Sequence, residues 1–254
     1  MKTLVTAIQK GGQGKTFVTC HLAFDFCERG LRVAVIDLDT QGNASYTLAE
    51  YLSGINASEL FSNDPNGLSE RFKHIEKDGA GLTLIGADAG LANLDKMDFS
   101  SASARLKAGI KAISKYFDVC LIDTAPSLGV AMTAAILVAD YMLSPIEMEA
   151  YSLQGMKKMV AVIGNLRRQN TKLRFLGMVP NKVDARKPRH ISNLLTLQEA
   201  YPQLVLPLRV GARDSIAEAL GEQMPVWKLK KSAARKATQE VRALAEYVFT
   251  KMEI

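Results

Sequence analysis

Gly11-Gly12-Gln13-Gly14-Lys15-Thr16 concentrates three glycines, an ammonium and a hydroxyl in six residues. Glycines let a backbone turn tightly enough for its N–H groups to converge on anionic oxygens, and a helix that begins there adds a favourable dipole. The chemistry of such a set is the binding of nucleotide phosphates. Lys15 would neutralise the β and γ phosphates, and the Thr16 hydroxyl would reach Mg²⁺. The usual P-loop has Gly, four residues, Gly, Lys and then Ser or Thr. Here Gln9 stands where the first Gly would be, and Lys10 follows it.

Two other segments end in carboxylates. VAVIDLDTQGN, residues 33–43, sets Asp37 and Asp39 two residues apart where an apolar run gives way to a loop, and FDVCLIDTAPSLG, residues 117–129, leads apolar residues into Asp123. Ligands of open α/β sheets lie outside the carboxyl ends of the strands, so these side chains can face the same phosphates. Mg²⁺ keeps several waters and takes one or two carboxylates. Asp123 suits that role, and of Asp37 and Asp39 one can hold a magnesium water while the other orients an attacking water. A single Asp after a strand is more often a turn or cap residue. Three of them beside a glycine loop favour a nucleotide.

The elements that must position these groups follow from the hydrophobic pattern. Thr3–Ile8, Val33–Asp37, Leu82–Ile85, Val119–Asp123, Tyr141–Leu143, Phe175–Val179 and Leu204–Leu206 are short apolar runs of the kind buried on both faces. Helical periodicity lies between them, from Phe17 to Cys27 and around residues 102–115, 128–138, 152–169, 188–200 and 213–220. A last helix opens near Ser232 as N-cap and carries the stripe Ala237, Val241, Leu244, Ala245 and Val248. Strands alternating with helices require crossovers, so the fold class is α/β: a mostly parallel twisted sheet with helices on both faces. No repeat or linker divides the chain, so residues 1–254 read as one domain, with Ser53–Gly81 its least regular stretch.

Charge is segregated along the chain. The 254 residues carry a net +6, yet the window Asn165–His190 alone holds +7, from Arg167, Arg168, Lys172, Arg174, Lys182, Arg186, Lys187 and Arg189 against Asp184. Val226–Lys236 adds Lys228, Lys230, Lys231, Arg235 and Lys236 with no acid, which leaves the remainder near −6. Basic runs are usually solvated faces; concentrated ones can also be footprints for nucleic acid. A composition of 48% hydrophobic and 23% charged residues excludes disorder. The longest nearly apolar run, Leu128–Ala139, is too short to cross a bilayer, and the N-terminus has no secretory pattern, so a cytoplasmic protein is expected. Cys20, Cys27 and Cys120, with three scattered histidines, show no zinc spacing and read as reduced thiols.

These motifs together resemble the ParA/MinD family of deviant Walker A ATPases. KGGQGKT at 10–16 is similar to the family's Walker A with its extra lysine at Lys10, DLDTQGNAS at 37–45 to its second motif, with Thr40 where Pro is usual, and LIDTAPSLG at 121–129 to its Walker B. Ser152–Gly155, Asn181–Asp184 (NKVD) and residues 206–226 extend the likeness nearly end to end. Plasmid partition ParA proteins fit best, with the short IncC-like type as the candidate form. The resemblance implies a P-loop ATPase with ATP and Mg²⁺ as cofactors, and slow intrinsic turnover. Lys10, Gly11, Gly12, Gln13, Gly14, Lys15, Thr16 and Phe17 would surround the phosphates, with Lys10 reaching those of a partner subunit in a face-to-face homodimer. Thr16, Asp37 and Asp123 would serve the metal, and Lys10, Lys15 and Asp39 catalysis, with Asp39 positioning the water. Asn181 would read adenine, and the loop near Pro207 would line the base.

The resemblance further implies binding of double-stranded DNA without sequence preference by the ATP dimer. The candidates are Arg186, Lys187, Arg189, Arg213, Lys228, Lys230, Lys231, Arg235 and Lys236, all in the C-terminal half. It also implies a ParB-like centromere-binding partner that stimulates hydrolysis, and nucleoid association. Many plasmid relatives carry an N-terminal DNA-binding extension, whereas the first strand here begins at residue 3, so operator binding is not expected of this chain. The tail ALAEYVFTKMEI lacks the basic amphipathic face of the membrane-binding MinD class, so no membrane contact is expected. The alternative reading is an ATP-switched positioning factor for membranes or proteins. A redox role through a cysteine-held cluster finds no ligand pair, and a metabolic kinase or ligase would need a substrate pocket that the sequence does not reveal.

Overall fold

A computed structural model describes residues 1–73, 81–148, 161–162, 164–165 and 167–254. Seven strands, β1 (Lys2–Thr6), β2 (Arg32–Leu38), β3 (Leu52–Asn56), β4 (Gly81–Gly86), β5 (Val119–Thr124), β6 (Tyr141–Glu147) and β7 (Arg174–Asn181), form one sheet in the order β3-β4-β2-β5-β1-β6-β7. Every pairing is parallel. The helices are α1 (Lys15–Glu28), α2 (Asn43–Thr47), α3 (Pro65–Lys73), α4 (Phe99–Ile113), α5 (Val130–Val138), α6 (Pro188–Ala200), α7 (Asp214–Gly221) and α8 (Ala234–Met252).

The strands have no polar alternation because both faces are covered. Leu4, Val33, Val35, Val119 and Leu121 pack against α1 and α8, while Val5, Ala34, Ile36, Cys120 and Ile122 pack against α4 and α5. α1 is buried almost throughout its length, from Lys15 to Phe26, so the glycine loop that precedes it is anchored to the centre of the molecule. The α8 stripe Ala237, Val241, Leu244, Ala245 and Val248 is buried against it.

Three expectations change. Ser53–Gly81 is more regular than its sequence suggests: it holds β3, a 3₁₀ turn at Ala57–Phe61 and α3. β3 is an edge strand with only Ile55 buried, so it has no apolar run to announce it. Leu204–Leu206 contributes a single parallel bridge, Met178 with Val205, rather than a strand, because Pro202 and Pro207 flank it. The last helix starts at Ala234 and has no side-chain cap, so Ser232 is not its N-cap. The helix expected over 152–169 and the Ser152–Gly155 motif lie largely or wholly outside the described residues, although those described between 161 and 169 are helical.

Candidate functional site

Parallel register brings the carboxylates together. Asp123 on β5 pairs with Asp37 on β2 and with Thr6 on β1, so two acids leave the carboxyl edge of the sheet side by side beneath the glycine loop. Both are fully buried, and Asp39 and Lys15 are 7% exposed. The Asp123 carboxylate accepts the Thr16 hydroxyl at 2.6 Å and that of Thr19 at 3.3 Å. Asp37 accepts the Ser45 N–H and hydroxyl, each at 2.8 Å, and the Asp39 N–H at 3.0 Å.

Burial and the neighbouring Asp37 push Asp123 up to about 7. Burial also raises Asp37, against the pull of its Ser45 and Asp39 hydrogen bonds. Lys15 is lowered by burial, opposed by Asp123 and Asp39. Three acids thus face one ammonium in a dry corner, a deficit of positive charge that a divalent cation would fill. Among the described residues no group of three His, Cys, Asp or Glu could hold a metal alone. Thr16 and the Asp123 carboxylate, 2.6 Å apart, are oxygen donors that fit Mg²⁺, which would take them with water and phosphate oxygens.

The loop is pinned from two strand ends. Gln13 accepts the Glu147 N–H at 2.8 Å through its side chain, and its carbonyl accepts the Asn181 amide at 2.7 Å. Lys182 donates to the Gly12 carbonyl at 2.7 Å and pairs with Glu147 at 2.6 Å. Gly14 caps α1 with φ +98°, and a Cβ there would lie 2.2 Å from the Asn181 amide nitrogen. Only glycine fits that position, for backbone and space alike.

These residues line a cleft of about 530 Å³. Its lining combines polar groups, among them Lys15, Thr16, Asp39, Asn181 and Lys182, with the apolar side chains of Phe17, Tyr46, Ile216, Ala217 and Leu220. Tyr46 and Thr47 donate to the Gly221 and Leu220 carbonyls at 3.2 and 3.4 Å, joining α2 to α7 across the rim. A single cleft that offers both polar and apolar lining is what a nucleotide requires.

Not every expected residue joins this cleft. Lys10 is exposed and makes no hydrogen bond or ion pair among the described residues. Pro207 lies elsewhere, on a second cavity with Arg174, Tyr247 and Lys251, because the chain runs from it through Val210, bonded to Pro180, before reaching the cleft at Gly211. The wall assigned to Pro207 is formed instead by Gly211, Arg213 and α7. Arg213 also departs from the expected DNA-facing set: it lines the cleft and pairs with Glu240 at 2.9 Å. Arg186, Lys187 and Arg189 are exposed at the start of α6, with Arg186 forked onto Asp184 at 3.0 and 3.1 Å. Lys228, Lys230, Lys231, Arg235 and Lys236 are exposed, and Lys231 pairs with Glu218. Sequence reasoning missed Thr19, Tyr46 and Lys182; only Lys182 carried a signal, its place inside NKVD.

A family model described as an AAA domain matches residues 1–175. The whole chain is 78% identical to Protein IncC of Escherichia coli over 254 residues, which make up 70% of that protein. Among solved structures, the chain is similar to the ATP complex of Cyanothece McdA, with TM-score 0.78, 24% identity and coverage of 98% of this chain and 96% of that one. It is also similar to a protein of Borrelia burgdorferi B31 assigned to plasmid partition and bound to AMPPNP, with TM-score 0.74, 20% identity and coverage of 98% and 99%.

Proposed function

From the premise that this chain belongs to the ParA family of plasmid partition ATPases, in which IncC proteins are its relatives, we propose that it is a nucleotide-timed DNA-partition switch. ATP joins two copies face to face, the dimer holds double-stranded DNA without sequence preference, and hydrolysis releases it. The observation that carries the reading is a cleft lined by Lys15, Thr16 and Asp39, with Asp123 bonded to Thr16 and paired in register with Asp37 behind it.

Lys15 holds the phosphates, and the α1 N-terminus orients them. Thr16 and Asp123, with Asp37 behind them, would hold Mg²⁺, which would supply charge neutralisation at the phosphates. Asp39, buried beside Lys15, orients the attacking water. Lys10 has no partner on its own chain among the described residues, which supports its reaching the phosphates of a second copy. Asn181 has one amide bond committed to the loop, so its contact with the base is made through what remains of the amide.

Two copies of a weak basic surface give avidity without any new contact. Arg186, Lys187, Arg189, Lys228, Lys230, Lys231, Arg235 and Lys236 are exposed as such a surface requires. A ParB-like centromere-binding protein would accelerate hydrolysis, and a nucleoid-associated cytoplasmic location follows from the same cycle. Among the described residues no helix is long and apolar enough to cross a membrane.

The test is binding to two unrelated duplexes with ADP, ATP or a non-hydrolysable ATP analogue across a salt series. Binding only with ATP or its analogue, equal for both duplexes and falling linearly in log affinity against log salt, is expected. Absence of DNA binding in every nucleotide state, with ATP-dependent dimers intact, would move the function to membrane or protein positioning.

A further inference from the structure

The peptide groups of the glycine loop are engaged on their carbonyl side and open on their N–H side. The carbonyls of Gly12, Gln13, Gly14 and Lys15 accept, in order, from Lys182 Nζ at 2.7 Å, Asn181 Nδ2 at 2.7 Å, the Val18 N–H at 3.0 Å and the Thr19 hydroxyl at 3.1 Å. Among the described residues, no backbone N–H from Gly11 to Thr16 donates to another group of the chain. A trans peptide sets the carbonyl of one residue opposite the N–H of the next, so a hold on the Gly12 carbonyl also aims the Gln13 N–H, away from that hold. Open N–H groups in succession form a concave set of dipoles suited to an anion.

Two of the four carbonyl contacts belong to the first turn of α1 and form wherever that helix forms. The other two reach in from the end of β7, and the one on Gly12 depends on a further group. Glu147, the last residue of β6, accepts Lys182 Nζ at 2.6 Å through its carboxylate and donates its own N–H to the Gln13 side chain at 2.8 Å. Lys182 makes this reach from a left-handed backbone, φ +51°, which a residue with a side chain holds only where its surroundings determine it. Its ammonium lines the cleft, yet it is balanced by a carboxylate and engaged by a carbonyl.

We propose that the Glu147–Lys182 pair positions the glycine loop for phosphate, holding the Gly12 carbonyl outward so that the loop's donors are arranged before a nucleotide binds. The inference rests on the nucleotide reading of the cleft and assigns Lys182 to bracing the loop rather than to touching phosphate. A loop already ordered has less freedom to lose on binding. The effect therefore belongs to the phosphates and is blind to the base.

The experiment is calorimetric binding of magnesium with tripolyphosphate, which has no base, and with a non-hydrolysable ATP analogue, across a salt series. Wild type is compared with the double variant Glu147→Gln, Lys182→Met, which removes the brace without changing net charge. Both probes should bind about tenfold more weakly, with the same dependence on salt as in the wild type. The urea midpoint of the free protein should stay close to that of the wild type, because the two side chains are 25% and 52% exposed and such pairs add little stability. A shallower salt dependence would make Lys182 a direct phosphate contact and overturn the proposal. Unchanged affinity, a loss confined to the ATP analogue, or a loss accompanied by a lower urea midpoint would overturn it too. Failure of the wild type to bind either probe would instead overturn the nucleotide reading itself.

Discussion

His21 should make the protein acid-sensitive by an amount that can be worked out. It sits nearly two turns into α1, 1% exposed, among the rings of Phe17, Phe24 and Trp227. Nδ1 lies 3.0 Å from the Phe17 carbonyl and must donate to it, while Nε2 accepts the Val226 N–H at 3.1 Å. Both ring nitrogens are committed in the neutral form, and a proton on Nε2 would face a donor. Burial, with a smaller push from Arg242, lowers the imidazole from 6.5 to about 4, although the Phe17 carbonyl pulls the other way. The unfolded chain therefore binds a proton between pH 6.5 and 4 that the folded chain refuses. The stability this neutral histidine contributes is complete above about pH 7 and is lost as pH falls through that window. The loss is about 2 kcal/mol at pH 5 and about 3 kcal/mol in full. Urea unfolding of wild type and His21→Gln at pH 8, 6, 5 and 4 isolates this one group from the other acids. The gap between the two proteins should narrow by these amounts as pH falls. A gap that does not change with pH, or an imidazole resonance in the folded protein that titrates near 6.5, would refute the reasoning.

Asp123→Asn should stabilise the nucleotide-free protein by about 2–4 kcal/mol at pH 8, since an acid raised to about 7 costs stability as pH rises from 3.8 through 7, while magnesium-nucleotide should no longer raise the unfolding midpoint; urea titrations with and without ligand read both effects. Gly14→Ala should cost about 2–3 kcal/mol from positive φ and the displaced Asn181 amide, and nucleotide affinity measured by calorimetry should fall at least about tenfold. Asp39→Ala should slow hydrolysis by about 100-fold or more while ATP-dependent dimers persist by light scattering, and normal phosphate release would remove Asp39 from the water-positioning role. Lys230→Glu should weaken DNA binding more than Lys231→Glu, because Lys231 is already paired with Glu218; removing one lysine–phosphate interaction should make the log–log salt slope less steep by about 0.9.

The phosphate end of the site was legible because its chemistry is local: one loop, two strand ends, each with its acids in a short run of sequence. Parallel pairing then had only one way to bring Asp37 and Asp123 together, since both lie at the carboxyl ends of strands that neighbour each other. The course of the loop after Pro207 was not legible because it depends on a path through space. Pro207 and Arg213 are six residues apart, yet the bridge of Val183 to Gly211 and the Glu240 fork send one to a separate cavity and the other into the cleft. Arg213 lies in neither basic window and entered the DNA-facing set through the family resemblance, which cannot show that it has found a carboxylate on another helix. β3 escaped for a different reason, as an edge strand with a single buried side chain has no pattern to offer. The feature least visible in the sequence joins the helix after the glycine loop to the second basic window. His21 links the helix that begins at Lys15 to the turn that begins the second basic window, through an acceptor nitrogen taken by Val226 N–H, and Arg242 stacks 3.6 Å over the neighbouring Trp227 while pairing with Asp25 and Glu28 of that helix. Any displacement of α1 must therefore be carried to residues 226–228, or break the buried His21–Val226 hydrogen bond at a cost of about 1–3 kcal/mol.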